Sequence, residues 1–326
     1  MPVTDVTTDT TALTMTLTAE FAAPPERVFR AFTDPAQLER FWGPPTWPAR
    51  VFELDVRVGG LAKYQMTGPR GEIAGGLWEF LAVDAPHSFE LTDHFTDPEG
   101  NVMTDMPTMR MTFDFQEIEG GTRLVTHTFF DSLEALEKVV DMGSVEGSTL
   151  AINQLDRVLM DLRELTQGKG PEVELLTDTL VRITRLIEGP RELVWRAHVE
   201  EELLRRWMLG PDGWEMTYCE PATEAGQAYR WGWRNVAGEG EEFGFEGEAL
   251  LVEAPRRYVT TERMIGADGP GTENDMLLEE ADGATLLTLV ITYPDKETRD
   301  MILATGMTDG MEASYARLES TITALV

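Results

Sequence analysis

The sequence predicts an α+β protein of two helix-grip domains in tandem, each a curved antiparallel sheet wrapped around a long C-terminal helix. Three observations lead there. The chain repeats itself once at a domain-sized interval. Within each repeat, short segments of alternating polarity follow one another across turn residues. Each repeat then closes on a long stretch of helical periodicity.

The repeat is clearest between Phe21–Trp47 and Ile187–Trp214. Pro24 falls on Pro190, Val28 on Val194, Phe29 on Trp195, Leu38 on Leu204 and Phe41 on Trp207. Further on, Val83-Asp84-Ala85-Pro86 matches Val252-Glu253-Ala254-Pro255, and Gly143 and Gly147 match Gly306 and Gly310. An offset of 163 to 169 residues far exceeds a solenoid period, so each copy is a domain. The chain of 326 residues then divides into a flexible Thr/Asp-rich tail (1–11), domain 1 (12–167), a Gly/Pro linker (168–171) and domain 2 (172–326).

In order, Leu13, Met15, Leu17, Ala19 and Phe21 alternate with polar residues, which predicts a half-buried strand. Pro24-Pro25 opens a helix with Val28, Phe29 and Phe32 on its apolar face. Asp34-Pro35 caps a second, stopped by Gly43-Pro44-Pro45. Strands follow, with facing sets Phe52/Leu54/Val56/Val58, Tyr64/Met66, Trp78/Phe80, Phe89/Leu91/Asp93/Phe95 and Met109/Met111/Phe113/Phe115. Gly120-Gly121 turns the chain into the last strand. Ser132 caps a helix, Gly143 breaks it, and a long helix runs to about Gln167. The second copy repeats this order, ending in a helical segment from Lys296 to Leu325.

These residues resemble a known family. The runs APPERVFRAFTDPAQLERFWGP, VRVGG, Ala85-Pro86, GGTRL and GSVEG…QLDRVL are similar to the activator of heat-shock-protein-90 ATPase homologue domain. That domain belongs to the START-like (SRPBCC) superfamily of lipid-transfer proteins, polyketide cyclases and pollen allergens. GPRELVWRA, RRWMLGP, EALLVEAPRRY and GMTDG…YARLE carry the likeness in the second copy. The resemblance implies a fold with a cavity between sheet and helix. It does not imply chaperone work, and a chaperone partner is not expected. The chain departs from the family twice. An arginine near the end of the first strand is kept as Arg185 but replaced by Ala19, and Asp93 and Glu262 stand where an aromatic is usual. Arg185 is therefore expected to be buried and paired, since an unpaired buried cation is too costly.

A net charge of -31 excludes a nucleic-acid partner and disfavours anionic membranes. The single cysteine, Cys219, fits a reducing compartment, and no apolar run suggests a spanning or signal segment, so a cytoplasmic location is expected. His87, His94, His127 and His198 lack metal-ligand spacing, and no metal or cofactor is expected. The leading expectation is a binding protein for a small apolar, aromatic or lipid-like molecule. The lining is assigned to Trp42, Trp47, Tyr64, Met66, Trp78, Phe80, Met111, Phe113, Gly147 and Leu150 in the first copy. In the second it is assigned to Trp207, Trp214, Trp231, Trp233 and Gly310. Asp93 and Glu262 are read as carboxylates at a solvent-exposed rim. The alternative places them on a cavity face, where a raised pKa would suit a polyketide-cyclase-like enzyme. A protein-interaction module is the third reading.

Overall fold

The computed structural model describes residues 2–159, 171–210, 213–236, 242–281 and 283–325. The chain divides into two compact units, one in each half. The expected linker, apart from Pro171, and the end of the long helix beyond Leu159 lie outside the described residues.

The first unit is one eight-stranded antiparallel sheet with four described helices. The strands are β1 (Val3–Asp9), β2 (Thr14–Phe21), β3 (Ala49–Leu54), β4 (Leu61–Thr67), β5 (Ile73–Asp84), β6 (Ser88–Thr96), β7 (Thr108–Ile118) and β8 (Gly121–Phe129). They lie in the order β1-β2-β8-β7-β6-β5-β4-β3. Between β2 and β3 come α1 (Pro25–Thr33) and α2 (Pro35–Leu38), and after β8 come α3 (Leu133–Asp141) and α4 (Ser144–Leu159). The local signals act as read. Proline opens α1, the Asp34 carboxylate accepts from the Ala36 and Gln37 N–H groups, and Ser132 accepts from Ala135 N–H. Gly143 separates α3 from α4 at φ +81°.

Alternation puts Leu17, Ala19, Tyr64, Trp78, Phe80, Phe89, Leu91, Phe113, Phe115 and Leu124 on the concave face. Against it pack Val28, Phe29 and Phe32 of α1 and Ile152, Leu155 and Val158 of α4.

Two expectations fail. The segment expected to be a flexible tail, 1–11, contains a strand instead: Val3–Asp9 form β1, paired along β2. Val3 and Val6 pack on the core, Asp9 Oδ1 accepts from Thr11 and Ala12 N–H in the turn, and Val3 N–H donates to Asn153 Oδ1 of α4. Threonine-rich segments suit the pleated edge of a sheet, which the polar composition concealed. The face Phe52/Leu54/Val56/Val58 is also broken. A β-bulge between Val51 and Glu53 reverses the alternation, leaving Phe52 60% exposed while Val51 and Leu54 pack inward, and Val58, 63% exposed, lies in the turn beyond the strand.

The second unit repeats the plan with β9 (Glu172–Leu175), β10 (Leu180–Glu188), β11 (Trp214–Glu220), β12 (Ala228–Asn235), β13 (Glu242–Glu253), β14 (Arg257–Met264), β15 (Thr272–Ala281) and β16 (Ala284–Thr292). Their order is β11-β12-β13-β14-β15-β16-β10-β9. The described helices are α5 (Arg191–Val199), α6 (Glu201–Trp207), α7 (Lys296–Leu303) and α8 (Met307–Thr323). The bulge between Phe80 and Ala82 in β5 recurs between Ala249 and Leu251 in β13, which fixes the equivalence of the two sheets.

Arg185 meets its expectation. Its side chain is 12% exposed, with Nε 3.1 Å from Glu312 Oε2 and Nη2 3.3 Å from Glu319 Oε2. Its Nη1 donates to the Leu186 carbonyl. The arginine thus joins β10 to α8, whereas Ala19 is fully buried and needs no such partner. Arg185→Ala should destabilise the protein by about 1–3 kcal/mol, because it leaves two carboxylates facing one another without their cation. Chemical denaturation checks this, and an unchanged midpoint would contradict it.

Candidate functional site

The side chains of interest in the first unit lie where β4, β5 and β6 meet the segment after α2. Trp78 and Asp93 are direct cross-strand partners, and Ala62 stands opposite Trp78 on β4. Two residues along, Tyr64 faces Gly76. A Cβ at position 76 would stand 2.2 Å from the Tyr64 ring and hydroxyl, so only glycine lets this ring lie flat on β5. The Gly75-Gly76 pair, although glycine pairs commonly mark turns, is therefore strand interior shaped for close approach. The alternation of Trp78 and Phe80 immediately after the pair is the signal that could have placed it inside a strand.

Trp42 completes the group. Gln154 of α4 donates to the carbonyls of Phe41 and Gly43 at 3.2 and 2.8 Å, holding the backbone on both sides of Trp42. The Trp42 and Trp78 ring centroids are 4.8 Å apart at 83°, Trp42 and Tyr64 6.0 Å at 88°, and Tyr64 and Trp78 5.4 Å at 64°. These are edge-to-face contacts between rings packed on one another. Phe80 and Phe113 extend the aromatic surface from Trp78.

Three kinds of polar group converge on these rings. The indole Nε1 atoms of Trp42 and Trp78 are buried and have no hydrogen-bond partner in the protein. Both are near enough to the Tyr64 hydroxyl to favour its ionised form, and Trp78 acts likewise on Asp93, yet neither N–H reaches hydrogen-bonding geometry. Asp93 neighbours Tyr64 and Trp78, and burial pushes its carboxyl up to about 7 against their smaller opposing effect. Burial and Asp93 together raise the Tyr64 phenol well above its ordinary value. The expected place for Asp93, at a solvent-exposed rim, is thus incorrect. It lies among buried aromatics and is itself half-buried. Asp93 is kept from the rim because β6 continues past it to Thr96, with β5 and β7 paired on either side.

The remaining expected residues distribute unevenly. Met66 and Met111 pack against this core, while Trp47 covers Gly68, whose Cβ would stand 2.8 Å from its ring. On α4 the core-facing residues are Ile152, Leu155 and Val158. Gly147 and Leu150 are half-buried outside that cluster, and a Cβ on Gly147 would meet Pro44 Cγ at 3.5 Å.

The second unit keeps the acid and changes its surroundings. The pairing of Glu246 with Arg263 and Ala249 with Thr260 sets Gly247 opposite Glu262, the place of Trp78 opposite Asp93. Tyr229 faces Gly247 where Ala62 faces Trp78, so large and small residues have exchanged strands. The Tyr229 hydroxyl lies 3.2 Å from Glu262 Oε2 and donates to the Thr261 carbonyl at 2.8 Å. Burial raises the Glu262 carboxyl, with Tyr229 and Asn274 opposing. This acid too is half-buried inside a network rather than at a rim. Two of the tryptophans here are satisfied: Trp207 Nε1 donates to Ala197 O at 2.8 Å and Trp233 Nε1 to Met208 O at 2.9 Å. Trp231 stacks obliquely on Tyr229 and Trp214 meets Phe243 edge-on. Gly310 is exposed, with nothing within 4 Å of where a Cβ would stand. Tyr229, Asn274, Gly76 and Gln154 escaped sequence reasoning, since their roles depend on cross-strand neighbours.

Among the described residues no group of three or more His, Cys, Asp or Glu side chains converges in a way that could hold a metal ion. Cys219 is buried and its thiol pushed up to about 11, mainly by burial, which leaves it unreactive.

The Asp93 assignment has a direct consequence for stability. A carboxyl whose folded pKa is raised stabilises the fold in its protonated form, so stability falls as pH rises from about 4, the unfolded value, through about 7. Asp93→Asn should remove that contribution. Its melting temperature relative to wild type is expected to climb between pH 5 and pH 8. A difference that does not vary with pH would show that Asp93 titrates as an ordinary surface acid.

Both halves match one family model, Activator of Hsp90 ATPase homolog 1-like protein, over residues 22–160 and 188–323. Among solved structures, protein Ms6760 from Mycobacterium smegmatis is 50% identical, aligned over 49% of this chain and 98% of its own, with a TM-score of 0.47. A protein from Arthrobacter aurescens is 41% identical over 48% of this chain and 91% of its own, with a TM-score of 0.47. A protein from Rhodobacter sphaeroides is 28% identical over 48% and 99%, with a TM-score of 0.45. No curated protein matches the chain.

Proposed function

The chain belongs to the family of Activator of Hsp90 ATPase homolog 1-like proteins, in two tandem copies, and from that premise we propose a small-molecule-binding protein whose site is in the first unit. Membership supports a ligand-binding or interaction module in general. The finer reading is a mainly apolar molecule held against the concave face beneath α4, beside Trp42, Tyr64, Trp78, Phe80, Met66 and Met111.

One observation carries this reading. Two buried indole N–H groups without partners, a phenol and a carboxyl converge within an otherwise apolar wall. An apolar surface with a few convergent polar groups is the common form of a small-ligand site. The second unit supports binding less well, because the indoles of Trp207 and Trp233 are spent on backbone carbonyls and Arg185 ties its sheet to α8. The acidic charge of -31 argues against phosphate-rich partners, and no helix among the described residues is long and apolar enough to cross a membrane. We place the protein in the cytoplasm on its single buried cysteine.

A second reading, an enzyme of polyketide-cyclase type, has Asp93 in its favour. A carboxyl near pKa 7 beside a phenol is suited to moving a proton at neutral pH.

The binding reading is tested by titrating the intact protein with N-phenyl-1-naphthylamine, a neutral apolar probe, and following the probe's emission. One site per chain is expected. Trp42→Ala should weaken binding by about tenfold, as truncating a buried aromatic anchor commonly does, and Tyr229→Phe in the second unit should leave it unchanged. Loss of binding in Tyr229→Phe with none in Trp42→Ala would move the site to the second unit. Absence of binding would end the proposal.

A further inference from the structure

We propose that the first unit's site selects an uncharged molecule bearing a carbonyl-type oxygen on an apolar body, the oxygen accepting from the indole N–H groups of Trp42 and Trp78. This rests on the binding function proposed above and specifies the chemistry of what is bound.

Donors and acceptors are out of balance in this cluster. An indole N–H can only donate. Trp78 is fully buried, and its N–H and that of Trp42 have no partner in the protein. A buried unsatisfied donor costs about 1–3 kcal/mol, and most buried polar groups in native proteins are paired. Two such donors lie near one phenol, held there by separate devices. Gly76 admits the Tyr64 ring, Ala62 leaves room for Trp78, and Gln154 fixes the backbone around Trp42. The Tyr64 oxygen and the Asp93 carboxyl are close by, but neither sits in hydrogen-bonding geometry to these two donors, so the cluster lacks a placed acceptor for them.

Charge narrows the class. No lysine or arginine is among the groups acting on Asp93 or Tyr64, so an anion would meet a carboxyl with no cation to offset it. A cation held between ring faces would need those rings apart. Here the centroids of Trp42, Tyr64 and Trp78 are 4.8 to 6.0 Å from one another, edge against face. A neutral oxygen meets neither obstacle. The second unit offers a built-in contrast, because the N–H groups of Trp207 and Trp233 already donate to backbone carbonyls. Selection for oxygen therefore belongs to the first unit.

The test uses matched probes in which a carbonyl oxygen is replaced by a methylene of nearly the same shape: acetophenone against α-methylstyrene, and benzophenone against 1,1-diphenylethene. Binding to the intact chain is measured by calorimetry for wild type, Trp42→Phe and Trp78→Phe. In wild type the ketone of at least one pair should bind about tenfold or more tightly than its hydrocarbon partner. Each variant should cut that preference to about twofold or less while still binding the hydrocarbon. If Trp78→Phe does not fold, Trp42→Phe, at a half-buried position, still decides the matter. Equal binding of ketone and hydrocarbon by wild type would overturn the proposal and leave the binding function standing. A preference that survives in the folded variants would overturn the assignment to these indoles. If neither member of either pair binds while N-phenyl-1-naphthylamine does, selection for a carbonyl oxygen fails alone. If no probe binds, the binding function fails with it.

Discussion

A carboxyl on the concave face of a sheet is costly to keep, and both units carry one at the same register position. Asp93 on β6 and Glu262 on β14 are each displaced upward in pKa by burial, and each is partly relieved by neighbouring donors. Neutralisation by protonation is the cheaper response to burial when no cation is at hand. The strands flanking each acid are arranged to supply the polar neighbours it needs, and the sizes of the adjoining residues follow from that supply.

The two units meet the same requirement differently. In the first, the bulky partner is Trp78 on β5, with Ala62 opposite it on β4 and Tyr64 nearby. In the second the bulk moves to Tyr229 on β12, opposite Gly247, and its hydroxyl lies close to Glu262. In each pair one large ring faces a residue with little or no side chain, so the exchange keeps one aromatic on this part of the sheet. The exchange has chemical consequences. The second unit's acid is enclosed in a network of phenol and amide, whereas the first unit's acid is left beside indole donors that make no hydrogen bond within the protein. Arg185 adds to the contrast by bridging β10 and α8 with two glutamates, where the first unit has Ala19.

Glycine marks the places where this packing is tightest. Gly76 lies under the Tyr64 ring, and Gly247 lies under Tyr229 with a Cβ position 2.8 Å from its ring. Neither sits in a turn. Each removes a side chain from a strand so that an aromatic can lie close to the backbone and reach a carboxyl. Duplication preserved the sheet and its bulge while the side chains between sheet and helix diverged.

The sequence by itself determined the repeat, the order of strands and helices after the first strand, the caps at Asp34 and Ser132, the break at Gly143 and the need to pair Arg185. These follow from local periodicity, from capping chemistry and from the cost of burying an unpaired charge, none of which requires knowing what lies across the sheet. The family, too, was legible from ordered motifs in both halves. Tertiary structure alone decided the rest. Parity placed Asp93 on the inner face, but only the strands on either side of β6 decided that it lies among buried aromatics rather than at a rim. Val3–Asp9 became a strand because Asn153 and the core receive it, a contact 150 residues away in sequence. Whether an indole N–H is spent or free depends on the backbone that folds against it. Trp207 and Trp233 find carbonyls, Trp42 and Trp78 do not, and no reading of neighbouring residues in the chain distinguishes them.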